Sequence, residues 1–230
     1  MFFDFSGKKA ESRKPAKSPG KILRVIGTVA LIAVSFTLVA GHYSAGVASV
    51  DDGAMATTQG LVRRSLQILR NTNAPVTQRR RELRAVLEGH FDFAEMSRSA
   101  LGYHWRKLTP QQRDEFTSLF KAFIEDAYLS KIQDYKGQDV QFVRERPLGG
   151  VYVEIDSKIV QAGKDPIPVN YLLEQKDGGW MIYDVTVDAI SIIANYRNQF
   201  NRVINDQGYP KLVSDLRAKQ QQLASLLGGL

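Results

Sequence analysis

Asp184 and Asp188 stand four residues apart near the end of an alternating apolar run. Residues at that spacing on a strand face the same side, which is the arrangement a pair of carboxylates needs for general acid and base work. Each also has an ordinary role: Asp188 precedes an amphipathic stretch and reads as its helix cap, while Asp184 pairs with a basic neighbour or accepts backbone hydrogen bonds. The other chemistry-bearing residues are sparse. The three histidines, His42, His90 and His104, are scattered, so the clustered ligands of a metal site are missing. His104, between Tyr103 and Trp105, reads as a half-buried packing group rather than a base. There is no cysteine, no Gly-x-Ser-x-Gly elbow, no P-loop and no Gly-x-Gly-x-x-Gly. Gly149-Gly150 and Gly178-Gly179 fall between strands, where turns need them. The residues thus assign no catalytic group, no metal and no cofactor.

The elements that carry these residues are rich in apolar surface. Trp180, Met181, Ile182, Tyr183, Val185 and Val187 make both faces of one strand apolar, and the helix behind it carries Ile192, Ile193, Tyr196, Phe200, Val203 and Ile204 before Gly208 stops it. Such a segment suits a protein that holds something greasy. Upstream, residues 57–71 form an amphipathic helix with Leu61, Val62, Leu66 and Leu69 on one side. Residues 77–88 form a second, with Leu83, Val86 and Leu87 inward and Arg79, Arg80, Arg81 and Arg84 outward as a solvated face. Asp92 caps a short helix that Gly102 ends. Thr109, Pro110 and Gln112 make a capping box for a long helix whose stripe includes Phe116, Phe120, Phe123, Tyr128 and Ile132.

Strand periodicity then takes over. Residues 138–144, 151–160 and 169–173 alternate, and Lys176-Asp-Gly-Gly179 turns the third into the strand around Ile182. Four sequential strands on short connections predict an antiparallel meander, and helices in blocks before and after it predict an α+β fold. A last amphipathic helix covers 211–227.

The formal charge of +7 divides unevenly: residues 1–48 hold seven Lys/Arg and two Asp/Glu, and the rest holds 24 against 22. A nearly neutral domain lacks the electrostatic footprint of a nucleic-acid binder. The basic start, the apolar stretch over 22–40 and the small residues Ala45, Gly46 and Ala48 have the order of a secretory leader. Residues 1–48 read either as a signal peptide cleaved after Ala48 or as an uncleaved membrane anchor, 49–56 as a linker and 57–227 as the domain. In both readings the domain lies across the membrane from the basic segment.

Five runs carry a family resemblance. They are Ala-Leu-Gly-Tyr-His-Trp-Arg-Lys-Leu-Thr-Pro-Gln-Gln-Arg-Asp-Glu-Phe (100–116), Phe-Ile-Glu-Asp-Ala-Tyr-Leu (123–129), Pro-Val-Asn-Tyr-Leu-Leu (168–173), Gly-Gly-Trp-Met-Ile-Tyr-Asp-Val-Thr-Val-Asp-Ala-Ile-Ser (178–191) and Asn-Tyr-Arg-Asn-Gln-Phe (195–200). Together, in this order, they resemble the MlaC or toluene-tolerance family of periplasmic phospholipid-binding proteins, over about residues 57–221. The resemblance implies a curved antiparallel sheet and packed helices enclosing a pocket for acyl chains. It implies a carrier, without enzymatic turnover, that shuttles phospholipid between an inner-membrane ABC transporter complex with an MCE-domain ring and an outer-membrane lipoprotein complex, maintaining outer-membrane lipid asymmetry.

An acyl chain of about 16 carbons, at about 0.8 kcal/mol per methylene, carries on the order of 10 kcal/mol of apolar burial, so an aqueous crossing needs a soluble carrier with apolar walls. Under the resemblance, the wall candidates are Phe120, Phe123, Tyr128 and Ile132 on the long helix, and Phe142, Val151, Val153, Ile155, Val169, Tyr171 and Leu173 on the sheet. Ile182, Ile192, Ile193 and Tyr196 complete them. Each is equally suited to an ordinary core. Arg98, Arg106 and Arg197 are candidates to meet a phosphate headgroup near solvent. The rival reading is a small α+β hydrolase or isomerase using Asp184 or His104 at the floor of an apolar pocket.

Overall fold

The computed structural model describes residues 53–228; the leader expected over 1–48 lies outside the described residues. Four helices come first: α1 (Ala54–Arg70), α2 (Val76–Glu88), α3 (Phe93–Leu101) and α4 (Pro110–Leu129). Five strands follow, β1 (Asp139–Gly149), β2 (Tyr152–Val160), β3 (Ile167–Lys176), β4 (Gly179–Val187) and β5 (Ile190–Ser191), and then α5 (Ile192–Gln207) and α6 (Tyr209–Gly228). The strands form one antiparallel sheet in the order β1-β2-β3-β4-β5. The α+β meander is the one expected, with β5 added as a short fifth strand. Because α1 starts at Ala54, its first residues extend it three positions ahead of the predicted helix.

Local chemistry fixes the helix ends. Thr109 Oγ1 accepts from Gln112 N, and Gln112 Oε1 accepts from Thr109 N, so both halves of the capping box close. Asp92 Oδ1 accepts from Glu95 N at 2.8 Å at the start of α3. Gly102 and Gly208 end α3 and α5 at φ 55° and 85°, where a Cβ is strained.

The strand pairing defines the inner face. Rows Val153–Leu173–Ile182, Ile155–Tyr171–Val185 and Ser157–Val169–Val187 run across β2, β3 and β4, and every member is buried. The inward residue of β4 therefore switches from even to odd numbers. The cause is a bulge: Leu173 faces Ile182 and Leu172 faces Asp184, which leaves Tyr183 as the extra residue. Apolar residues at both parities of this segment thus serve one face on either side of a bulge. The edge strand β1 also carries bulges, with Pro147 and outward Arg144 and Arg146 paired to Asp156 and Glu154, features that discourage further strand addition.

Helices cover the sheet: α1 packs on β1 and β2, α3 and α5 on β4, and α6 on α4 and α5. Phe116, Phe120, Phe123, Tyr196 and Phe200 join α4 to α5 as an aromatic cluster, with ring centroids 5.5 to 6.5 Å apart and mostly edge-on across the helices. No helix among the described residues is long and apolar enough to cross a membrane.

Candidate functional site

Where the α2–α3 connection meets β4, the helices and the sheet do not close completely. The connection docks on the sheet by backbone hydrogen bonds: Ile182 N donates to the His90 carbonyl at 2.8 Å, and Asp92 N donates to the Ile182 carbonyl at 2.9 Å. Lys176 at the end of β3 donates to Asp92 Oδ2. Although burial pushes it up, the hydrogen bonds from Lys176 and the Glu95 amide hold the Asp92 carboxyl below its ordinary pKa. Beside this tie lies a cavity lined by Leu87 of α2, Phe91 of the connection, Phe93 and Met96 of α3, Ile124 and Tyr128 of α4, Val185 of β4 and Ile192 of α5. Its lining is apolar except for the Tyr128 hydroxyl. Its volume is about 30 Å³, more than the roughly 10 to 15 Å³ that one water needs.

The sequence candidates divide around this cavity. Tyr128 and Ile192 line it. Phe120, Phe123 and Tyr196 meet one another in the aromatic cluster, and Val153, Ile155, Val169, Tyr171, Leu173 and Ile182 form the buried inner face of the sheet. Ile132 and Ile193 are also buried in the core, and Phe142 packs partly buried against it. Val151 is 45% exposed, because it precedes β2 at the tip of the β1–β2 turn rather than alternating within the strand. Leu87, Phe91, Phe93, Met96, Ile124 and Val185 are cavity residues that the wall candidates did not include. Phe91 sits outside any helix or regular strand, where periodicity has nothing to report.

The catalytic candidates Asp184 and His104 are both engaged in hydrogen bonds. Asp184 accepts from Ser191 Oγ at 2.5 Å, Val185 N at 2.8 Å and Ile193 N at 3.1 Å. Burial raises its pKa against the pull of those bonds. It braces the β4–β5–α5 corner. The cap expected of Asp188 belongs instead to Ser191, whose Oγ accepts from Ala194 N at 2.9 Å. Asp188 is exposed in the preceding turn at φ 48°, too early to reach the first turn of α5. Buried His104 places Nε2 2.8 Å from Asn201 Oδ1 and its ring 3.8 Å from that of Tyr103. Among the described residues no three acidic or histidine side chains converge on a metal position.

The headgroup candidates are exposed and none lines the cavity. Arg98 Nε donates to Glu95 Oε2 at 2.6 Å, Arg197 Nε donates to the Ser99 carbonyl at 2.5 Å, and Arg106 lies on the 3-10 segment between α3 and α4.

An antiparallel meander whose covering helices leave a largely apolar pocket against β4 defines a ligand-enclosing α+β domain. The comparisons with known proteins give that class a family. The chain belongs to the MlaC family: the family described as MlaC protein matches residues 59–218. It is 29% identical over 129 residues to the intermembrane phospholipid transport system binding protein MlaC of Haemophilus influenzae, covering 54% of this chain and 58% of that one. It is 27% identical over 103 residues to toluene tolerance protein ttg2D of Pseudomonas putida, covering 45% and 48%. The chain therefore spans about half the length of these curated relatives. The phospholipid-binding protein of Ralstonia solanacearum, solved in complex with a phospholipid, has the same fold, with a TM-score of 0.66 at 24% identity over 74% of this chain and 98% of that one.

Proposed function

We propose that this chain is a periplasmic phospholipid carrier of an ABC-type lipid transport system, moving phospholipid between the inner and outer membranes without chemical turnover. The observation that carries the reading is the apolar cavity between α2, α3, α4 and β4. Family membership supports it, as do a relative named for intermembrane phospholipid transport and a fold neighbour solved with bound phospholipid. Residues 1–48 supply the export signal or a tether, and the carrier domain begins with α1 at Ala54 rather than at residue 57. The partners on this reading are an MCE-domain ABC transporter complex and an outer-membrane lipoprotein complex.

A cavity of about 30 Å³ admits a methylene or two, whereas burying a whole chain is worth on the order of 10 kcal/mol. Loading a whole chain therefore requires the elements that line the cavity to part. That energy exceeds what the few hydrogen bonds of the His90–Asp92 tie can oppose, at about 1 kcal/mol each. The cavity residues then become the acyl wall.

Native mass spectrometry of the full chain tests the carrier reading. Intact co-purified phospholipid is the expected result. Protein that emerges lipid-free and accepts no lipid from phospholipid vesicles sinks it.

A further inference from the structure

On the other side of α2 the arginines do not form the solvated face that helical periodicity predicts. Arg80 is 6% exposed, the least exposed charged side chain of that helix. It lines an open cleft of about 400 Å³ with Thr77, Arg81 and Arg84 of α2, Asp126 of α4 and Gln220, Ala224, Leu227 and Gly228 of α6. The burial follows from α6, whose last turn crosses α2: Arg80 Nη1 donates to the Leu227 carbonyl at 3.0 Å. That is its one hydrogen bond among the described residues, and its Nε is buried without a partner. Among the described residues it makes no ion pair. Burial first, and then neighbouring Arg79, lower its pKa, as expected for a cation without a counter-charge.

The cleft carries a net positive charge, with Arg80, Arg81 and Arg84 against Asp126. Asp126, the carboxylate on its wall, is occupied by Arg84 Nη2 at 2.5 Å and Gln220 Nε2 at 2.9 Å. Arg81 is exposed and makes no ion pair among the described residues. The α2 helix begins at the cleft, with Pro75 at its cap, no side chain capping it and no acidic residue in its first turn. Its first N–H groups and dipole add positive potential beside Thr77.

We propose that this cleft binds a phosphate-type oxyanion, held by Arg80 and Arg81 and seated against Thr77 and the uncapped first turn of α2. Two guanidiniums without an ion pair among the described residues match the one to two negative charges of a phosphate group. The hydroxyl, amide and guanidinium donors that α2 brings to the cleft are groups that bind phosphate oxygens. The source of the phosphate is a lipid headgroup or free inorganic phosphate. The site stands independently of lipid carriage, since it shares no lining residue with the apolar cavity.

Calorimetric titration of the full chain at low ionic strength with inorganic phosphate, and in parallel with monomeric dihexanoylphosphatidylglycerol, tests the site. Two variants accompany it. Arg81→Gln alters an exposed, unpaired side chain, and Thr77→Glu places a carboxylate where a helix start tolerates it. Saturable binding of inorganic phosphate that both variants weaken about tenfold or more, the scale of one lost charge-assisted hydrogen bond, supports the proposal and assigns free phosphate. The same loss seen with the short-chain lipid alone supports it and assigns the headgroup. No saturable binding of either probe, or binding that both variants leave unchanged, overturns it. So does binding of a polyglutamate peptide when neither phosphate probe binds, which would make the cleft a dock for an acidic protein segment.

Discussion

Arg84 Nη2 lies 2.5 Å from Asp126 Oδ1 and joins α2 to α4 one helical turn from Leu87 on the cavity wall. Asp126 is buried and also receives Gln220 of α6, so one carboxylate gathers three helices. Removing it leaves the Gln220 amide without its acceptor and Arg84 with only its longer 3.6 Å ion pair to Glu125. Asp126→Ala is expected to cost about 2 kcal/mol, less than a fully buried pair because Arg84 keeps access to water. Urea denaturation with an unchanged m-value checks this; a midpoint equal to that of the parent protein would show the junction to be idle.

Glu125, adjacent in sequence, makes stability depend on pH. It is buried, and burial raises its pKa to about 7, against Lys121 and Arg84, which favour the charged form; Glu88 and Asp126 raise it further. The folded protein therefore holds a proton between about pH 4.5 and 7 that the unfolded chain has released. The contribution of this group is present in full below that window and is lost as pH rises through 7. Glu125→Gln is expected to flatten the dependence and to stabilise the protein at pH 8 by on the order of 2 kcal/mol. Thermal denaturation of both proteins at pH 5 and pH 8 measures it, and parallel curves would count against the assignment.

Tyr171 occupies the centre of the inner sheet face, fully buried, with no partner for its hydroxyl. Burial alone pushes its pKa well above that of an ordinary phenol. An unbonded buried hydroxyl costs about 1 to 3 kcal/mol. Tyr171→Phe is expected to stabilise lipid-free protein by about 1 kcal/mol, read from the denaturation midpoint. Destabilisation would mean that the hydroxyl is engaged.

The α+β class, the meander, the capping box and the helix stops were legible in the sequence because each follows from local periodicity or from one residue's backbone preference. Both apolar faces of β4 were also visible, but their cause was not. A bulge at Tyr183 is set by pairing with Leu172 and Leu173, and no window confined to one strand contains that information. Arg80 was misplaced for a similar reason: an arginine on the polar side of a helix is solvated unless a distant element covers it, and α6 does. The site was legible only as excess apolar surface. Phe120 and Phe123 share a stripe with Ile124 and Tyr128, and only the positions of α3 and α5 decide which pair meets the cavity and which meets Tyr196 and Phe200.

That division yields the sharpest test of where lipid binds. Met96 is buried on α3 and lines the cavity, whereas Val151, a wall candidate by alternation, points to solvent at the end of the sheet. Met96→Trp adds a bulky ring to a space of about 30 Å³. It is expected to cost about 1 to 3 kcal/mol by overpacking and to reduce co-purified phospholipid, measured by native mass spectrometry, at least tenfold. Val151→Trp, at a site with room, is expected to leave both stability and lipid content near those of the parent. Loss of lipid in Val151→Trp with retention in Met96→Trp would move the acyl site from the α3–β4 cavity to the β1–β2 end of the sheet. Equal retention in both would place it at neither.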